Sequence, residues 1–468
     1  MSRIVIIGGG PAGYEAALVA AQLDAEVIVV DPDGAGGACV LQDCVPSKTF
    51  IASSDVLTGY RDAERFGIHA PGGLESITVD AAAVHGRVRS LAAAQSRDIH
   101  SKLVKAGVRV VQGRARLGAA AVRHHHPVQV TPASGQPETL AADVVLIATG
   151  ATPRVLPDAE PDGQRVLTWR QIYDLPALPE HLIVVGSGVT GAEFASGYLA
   201  MGVPVTLVSS RERVMPHEDP EAATVIERVF RERGMAVLGN SRAAAVRGTS
   251  DGVAVTLTDG RTITGSHALM AVGSVPNTGA LGLAEYGVAI DPDGQVPVDR
   301  VSRTNVPGIY AAGDCTGLLP LASVAAMQGR IAMWHALGEA VAPLRLRTVA
   351  ANVFTDPELA TVGYSQADVD SGRVSARELL LPLAGNARAK MAGITDGFVK
   401  LFCRAASGVV VGGVVVAPKA SELILPISLA VGNRLTVDEL AQTITIYPSL
   451  SGSLAEAARQ LMEHDSER

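Results

Sequence analysis

Two cysteines stand five positions apart in the stretch Gly36-Gly37-Ala38-Cys39-Val40-Leu41-Gln42-Asp43-Cys44-Val45-Pro46-Ser47-Lys48. With four cysteines in 468 residues, the chain has no structural disulfide framework. A close pair in such a chain reads as redox or metal chemistry. Five residues along a regular helix rise about 7.5 Å, whereas a disulfide needs Cα atoms within about 6.8 Å. A bonded pair therefore requires a distorted turn between Cys39 and Cys44. Pro46 cannot donate to the carbonyl of Gln42, which loosens that turn. A nearby helix N-terminus would favour the thiolate, the reactive species. Lys48 follows shortly and adds a cation. His124-His125-His126 lies between polar and Pro-containing stretches and reads as a solvated turn, since no cysteine or acid spacing supports zinc. Cys315 and Cys403 are far from the pair and are expected to be buried and inert.

The elements that position the pair begin with residues 3 to 31, which read as βαβ. Arg3–Ile7 is a short apolar strand. Gly8-x-Gly10-x-x-Gly13 follows, then an Ala-rich helix, then the strand Glu26–Val30 and Asp31. The glycines serve a tight turn, close approach of a pyrophosphate and close helix–strand packing. The helix N-terminus offers free N–H groups and a positive dipole end to phosphates. Asp31 can accept from a ribose hydroxyl.

The spacing predicts helix over 37–60 and a long amphipathic helix over 80–106, with Leu91 and Leu103 among its apolar positions. Asp143–Ile147 is a buried strand ending in Ala148-Thr149-Gly150. After a Pro-containing connector, Leu182–Val185, Gly186-x-Gly188-x-x-Gly191 and Val205–Val208 repeat the opening unit, so two cofactors are implied. Asp31 lies 18 residues after Gly13, and Ser209 lies 18 after Gly191. The second unit thus lacks the ribose carboxylate and carries Arg211 and Arg213 just beyond. An acid there would repel a 2′-phosphate, whereas Ser plus Arg accommodates one. This favours NADPH over NADH at the second site, unless the two arginines simply face water. Val255–Met270 alternates as a β-ribbon, and Ala271-Val272-Gly273 echoes Ala148-Thr149-Gly150. Gly308–Asp314 is a strand and tight turn with a carboxylate at its tip, and Gln328–Leu337 a helix. From Leu346 onward the pattern changes to strands (Phe398–Cys403, Val409–Val416) and helices (Ser421–Val431, Val437–Thr443) without a phosphate loop.

Length predicts about three domains. The expected boundaries are 1–152 for a first dinucleotide-binding domain and 153–275 for a second. Residues 276–345 return to the first, and 346–468 form an α+β C-terminal domain. The fold class is α/β with two Rossmann-like domains. A net charge of −8 without a basic run gives nucleic-acid binding little support. No apolar stretch reaches the roughly 18 residues of a membrane helix. Ile4–Ile7 runs straight into the glycine loop, as a buried strand does and a signal peptide does not. The expected compartment is the cytoplasm.

In this order the motifs resemble the flavoprotein disulfide reductase family, which includes lipoamide dehydrogenase, glutathione reductase and mercuric reductase. The resemblance covers essentially the whole chain. It rests on Gly8-Gly9-Gly10-Pro11-Ala12-Gly13, Cys39…Cys44-Val45-Pro46-Ser47-Lys48, Ala148-Thr149-Gly150, Gly186-Ser187-Gly188-Val189-Thr190-Gly191, Ala311-Ala312-Gly313-Asp314 and Val353-Phe354-Thr355-Asp356-Pro357-Glu358. It implies FAD at the first loop, with Asp314 on its ribityl chain, a nicotinamide cofactor at the second, and an obligate homodimer made by the C-terminal domain. It also implies that Cys44 faces the flavin, that Cys39 would attack a substrate disulfide, and that Lys48 pairs with Glu193 near the flavin N5.

One departure bears on function. Disulfide reductases of this family carry a His-Pro near the C-terminus with a Glu five residues after the His, and this dyad moves a proton for the attacking thiol. Here Tyr447-Pro448 and Gly452 stand in those places. A phenol with a pKa near ~10 is poorly matched to neutral pH, and general acid–base help is worth ~10²–10⁴ in rate. In addition, the stretch Leu321–Gly329 has Ser and Gln where lipoamide dehydrogenases carry His and Glu. Mercuric reductases have a C-terminal cysteine pair, which this chain lacks. Hydride transfer from NAD(P)H to flavin needs none of these residues. The whole resembles the NAD(P)H:quinone reductase branch of the family, with electrons passed to a small acceptor such as a quinone. The competing expectations are a disulfide reductase using Cys39 and Cys44 with Tyr447 as an unusual proton donor, and a redox-silenced dimeric binding subunit.

Overall fold

The computed structural model describes residues 2–69, 72–73, 76–118 and 125–462. The chain forms two compact units. One comprises Met1–Thr49, Ala82–Arg154 and Gly273–Arg345; the other comprises Phe50–Ala81, Val155–Val272 and Leu346–Arg468.

The first unit is built on a seven-stranded sheet. Its order is Ile309–Ala311, Val144–Ile147, Arg3–Ile7, Glu26–Asp31, Arg109–Leu117, His126–Pro132 and Glu138–Ala142. The first five strands are parallel and the last two turn antiparallel. A parallel sheet must be covered on both faces, so its central strands are apolar runs, residues 4–7, residues 27–30 and Val144–Ile147. Ile4 and Ile6 meet the small residues Ala12, Ala16 and Ala20 of helix Pro11–Gln22, while Val5 and Ile7 point to the opposite core with Val128, Val130 and Leu140. Alanines on the first helix let it lie close to the sheet, which brings its N-terminus against the strand ends.

The second unit holds a five-stranded parallel sheet, in the order Ala236–Leu238, Val205–Val208, Leu182–Val185, His267–Met270 and Val166–Leu167. It also holds a five-stranded antiparallel sheet, in the order Ala350–Val353, Glu358–Gly363, Val410–Ala417, Phe398–Arg404 and Ala376–Pro382. Ala360, Leu401 and Val415 of this sheet share a core with Ile427, Val437, Leu454 and Ala458 from the following helices.

Several local expectations change. The predicted helix over 37–60 is two helices, Gly37–Leu41 and Cys44–Asp62. The long helix is Ala81–Lys105; Leu103 is fully buried but Leu91 is 41 % exposed, because it falls off the apolar stripe. The predicted ribbon over Val255–Met270 is divided: Val253–Leu257 and Thr262–Gly265 are antiparallel, whereas His267–Met270 joins the parallel sheet. The predicted helix over Ser421–Val431 is also two, Ala420–Leu423 and Leu425–Asn433. The solvated-turn reading fails at His126. It opens a strand, is 5 % exposed and has Nδ1 2.8 Å from the Tyr286 hydroxyl. His125 pairs with Asp143 at 3.0 Å, and His124 lies outside the described residues. Among the described residues no His, Cys, Asp and Glu cluster could hold a metal ion. No helix among them is long and apolar enough to cross a membrane.

Candidate functional site

The first glycine loop is a cradle that side chains would fill. A Cβ on Gly8 would sit 2.1 Å from the carbonyl oxygen of Ala148, and one on Gly13 would sit 1.9 Å from that of Gly8. A Cβ on Gly10 would meet nothing within 4 Å, so open space lies just before helix Pro11–Gln22. That helix has no side-chain cap, and its first residue is proline. The first-turn N–H groups of Ala12 and Gly13 are therefore left to point into that space.

Asp31 also makes backbone bonds that the sequence did not announce. Its Oδ2 accepts from the Gly9 N–H at 2.6 Å, and its Oδ1 accepts from Asp33 and Gly34 at 2.8 and 3.0 Å. Burial raises its pKa against these three backbone bonds. The carboxylate shapes the loop first; a carboxylate has about four acceptor sites, so capacity for a ribose hydroxyl remains.

Two further strand ends meet this loop. Thr149, in the turn after strand Val144–Ile147, has a buried Oγ1 without a hydrogen-bond partner. Asp314 follows Gly313 (φ +83°) in a tight turn, and burial raises its pKa. Its carboxylate makes no ion pair or hydrogen bond among the described residues. Gln328 holds that turn, its Oε1 accepting from the Gly313 N–H at 2.9 Å while Gly329 packs on Ala12. Asn277 holds the other, donating to the Thr149 carbonyl at 2.9 Å. Gly150 and Gly273 both have positive φ (+64° and +90°) with open space where a Cβ would stand. Gln328 and Asn277 were not legible as site residues; Gln328 stood out only as a departure from a family pattern.

The cysteine stretch is docked on this cradle. The Gly36 N–H donates to the Gly9 carbonyl at 2.8 Å. A Cβ on Gly37 would be 2.8 Å from the Gly10 Cα, and Ser96 clamps Ala35 from the long helix at 2.6 Å. The predicted distortion is present: the helix ends at Leu41, the N–H groups of Gln42 and Asp43 both reach back to the Ala38 carbonyl, and a new helix starts at Cys44. Both cysteines are free thiols and half-buried. The Cys39 side chain, hydrogen-bonded to Cys44, pushes the Cys44 pKa far above the ordinary thiol range; burial and Asp43 add to this, while Lys48 opposes it. Cys44 and Lys48 stand one turn apart on the same helix face. Cys315 and Cys403 are fully buried, and burial pushes the Cys315 thiol up to about 11.

The second loop repeats the first. A Cβ on Gly186 would sit 2.1 Å from the Ala271 carbonyl oxygen, one on Gly191 would sit 1.9 Å from that of Gly186, and one on Gly188 would be free of contacts. Helix Val189–Ala200 also lacks a side-chain cap. Ser209 is fully buried. Its Oγ receives from Ser187 Oγ at 2.7 Å and donates to the Arg211 carbonyl at 2.9 Å. The serine thus braces the loop, while the side chains of Arg211 and Arg213 are exposed and form no salt bridge among the described residues. Glu193 is 4 % exposed, its Oε1 accepting from the Phe354 N–H at 2.9 Å. A cavity of about 690 Å³ lined by Asp299, Arg303, Tyr310 and His335 contains none of the predicted residues.

Two nucleotide cradles of the same geometry in one chain, the first carrying a cysteine pair, agree with the comparison to known families. The pyridine nucleotide-disulphide oxidoreductase profile matches residues 2–329, and the dimerisation domain of the same family matches residues 349–458. The chain belongs to the pyridine nucleotide-disulphide oxidoreductase family. It is 60 % identical to an NAD(P)H dehydrogenase (quinone) of Mycobacterium tuberculosis, over 99 % of this chain and 95 % of that one. It is 34 % identical to a dihydrolipoyl dehydrogenase of Chlorobaculum tepidum, over 97 % and 96 %. The crystal structure of LpdA from M. tuberculosis superposes with a TM-score of 0.94 at 60 % identity, covering 99 % of this chain and all of that one.

Members of this oxidoreductase family are FAD-dependent and use NAD(P)H. The first cradle fits such a group on its own evidence: a Thr149 hydroxyl and an Asp314 carboxylate without partners among the described residues, and the space in front of Gly10. In the dimerisation domain, Tyr447 is 85 % exposed beside Ile444 and Ile446, at 98 % and 80 %. Asn386 fixes the following turn by donating to the Ser449 carbonyl and Ser453 Oγ at 3.0 and 2.8 Å, and Gly452 opens the last helix, Gly452–Leu461.

Proposed function

We propose that this chain is an FAD-dependent NAD(P)H oxidoreductase that delivers electrons to a quinone or similar small acceptor, working as a cytoplasmic homodimer. The observation that carries the quinone reading is Tyr447 with Gly452 in place of a neutral-pH proton relay. The 60 % identity to a quinone dehydrogenase supports it. Bound FAD supplies the two-electron carrier between nicotinamide and acceptor. Gly8, Gly10, Gly13 and Asp31 form its phosphate and ribose cradle, with Thr149 and Asp314 as the polar partners. Lys48 holds a positive charge beside the cysteine pair. Gly186, Gly188 and Gly191 take the dinucleotide phosphates.

The proximity of Cys39 to Cys44 favours a second reading, a disulfide reductase with Tyr447 as proton donor. Steady-state NAD(P)H oxidation against a panel of quinones and disulfides separates the two. We expect quinone turnover that survives Cys39→Ser within about two-fold, and lipoamide turnover lower by the ~10²–10⁴ that general acid–base catalysis supplies. Background quinone turnover, or its collapse in Cys39→Ser, would reject the quinone reading.

For the second site we propose NADPH as the preferred donor, recognised at its 2′-phosphate by Arg211 and Arg213. Charge-assisted hydrogen bonds are worth about 1.5–3 kcal/mol each. Arg211→Ala/Arg213→Ala should therefore cut the NADPH-over-NADH preference in kcat/KM by at least ~10-fold and leave NADH nearly unchanged. An unchanged preference would show that the two guanidinium groups merely face water.

A further inference from the structure

The Asp314 carboxylate is half-buried and makes no hydrogen bond or ion pair among the described residues, so the backbone it hangs from decides where it points. Gly313 precedes it at φ +83° and ψ −160°, a region that only glycine enters freely. Glycine has no side chain to fix such a conformation, so the peptides on either side of it must be held from outside. Two side chains do this. The Gly313 N–H donates to Gln328 Oε1 at 2.9 Å, and Thr316 Oγ1 donates to the Gly313 carbonyl at 2.8 Å. Gln328 Nε2 donates in turn to Thr316 Oγ1 at 3.4 Å, which closes a ring. Gln328 is fully buried, and both ends of its amide are used. A carboxylate in its place could accept from Gly313 but could not donate to Thr316.

The ring is anchored to the first cradle. Gln328 lies on helix Ala322–Ala336. Its neighbour Gly329 packs so closely on helix Pro11–Gln22 that a Cβ there would sit 2.1 Å from the Ala12 carbonyl oxygen. Ser302 is buried, at φ +67°, and ties the same helix to strand Ile309–Ala311. Its Oγ donates to the Gln328 carbonyl at 3.4 Å, and its carbonyl accepts from the Ala311 N–H at 3.0 Å. Ala12 stands in the first turn of the helix that faces the cradle. The Asp314 turn is therefore held in register with that N-terminus through Gln328 and Gly329.

We propose that Gln328 is a positioning residue for the flavin. Acting through Thr316 and Gly313, its amide aims the Asp314 carboxylate at the group in the first cradle. Being fully buried, it does not face that group itself. Its contribution to flavin affinity therefore runs through Asp314. This inference rests on the reading that the first cradle holds FAD.

The test measures release of FAD from the full-length holoenzyme on dilution, by flavin fluorescence and without turnover. Gln328→Met keeps the side-chain length and loses both hydrogen bonds. It should raise the FAD dissociation constant about ten-fold, as expected when one buried hydrogen bond is lost and its partner left unpaired. Asp314→Asn should raise it by at least as much, since it removes a charge-assisted acceptor. Adding Gln328→Met to Asp314→Asn should change it by less than about two-fold, because residues that act as one unit are not additive. Thr316→Val opens the same ring from its other side and should show the same dependence on Asp314; it serves if Gln328→Met does not fold. A cost of about ten-fold that persists in the Asp314→Asn background is the mark of a general structural role and overturns the proposal. So does a Gln328→Met dissociation constant within about two-fold of wild type. A wild type that does not bind FAD overturns the reading of the first cradle and the proposal with it.

Discussion

Gly191→Val should yield a protein that keeps its flavin yet is no longer reduced by NADPH. A Cβ at this position lies 1.9 Å from the Gly186 carbonyl oxygen, so one of the two backbones must move by more than an ångström. Neither is free to do so. The Gly186 N–H is held to Val208 at 2.9 Å, and a Cβ on Gly186 would itself strike the Ala271 carbonyl at 2.1 Å. The strain goes into the N-terminus of helix Val189–Ala200, where we propose the dinucleotide phosphates bind. A displacement of about 1 Å costs on the order of 10²-fold in rate, and valine requires more. The mirror change, Gly13→Val, meets the same 1.9 Å contact in the first loop and should cost the flavin itself. Absorbance of the purified proteins and stopped-flow reduction, with dithionite as a control that bypasses NADPH, read the two outcomes. Reduction of Gly191→Val at the wild-type rate would refute the assignment of the second loop.

Lys400→Met should lower the thermal unfolding temperature by roughly 10 °C. The Lys400 ammonium is buried at 2 % side-chain exposure, with Asp219 at 3.0 Å and Glu221 at 2.9 Å. Asp219 Oδ1 also caps helix Pro220–Glu232 by accepting from Glu221 and Ala222. Removing the cation leaves the Asp219 charge buried without its counter-ion, a mechanism that costs about 3–5 kcal/mol. Lys400→Met/Asp219→Asn should recover part of the loss, since the amide caps the helix without a charge. Burial alone would depress the lysine pKa, but the hydrogen bonds it donates to Glu221 and Asp219 raise it above its ordinary value. The stability from the pair is therefore fully present below the ordinary lysine pKa and fades only as pH climbs through the raised one. Melting of Lys400→Met within about 2 °C of wild type would show that the triad is dispensable.

The fold was legible where a backbone requirement leaves a mark on composition. Only glycine tolerates a carbonyl 2 Å from its Cβ position, so both phosphate loops could be read directly, and strands covered on both faces had to be apolar. Boundaries were less legible: the ribbon over 255–270 split between two sheets because strand pairing is a long-range choice. His126 shows the same limit, since nothing beside it in the chain announces that Tyr286 will bury it.

The sequence by itself determined that two dinucleotide cradles, a cysteine pair and an α+β domain follow one another, because turn sterics and hydrophobic periodicity are local. It also raised the expectation that Tyr447 and Gly452 stand where a proton relay would be needed. Tertiary structure alone decided which polar groups are spoken for and which are not. Ser209 is fully buried and braces its loop, and Asp31 braces the first loop while keeping acceptor capacity. Thr149, Asp314 and Asn352 keep atoms unpaired among the described residues. Hydrogen-bond satisfaction depends on partners brought together from distant parts of the chain, and no local pattern encodes it.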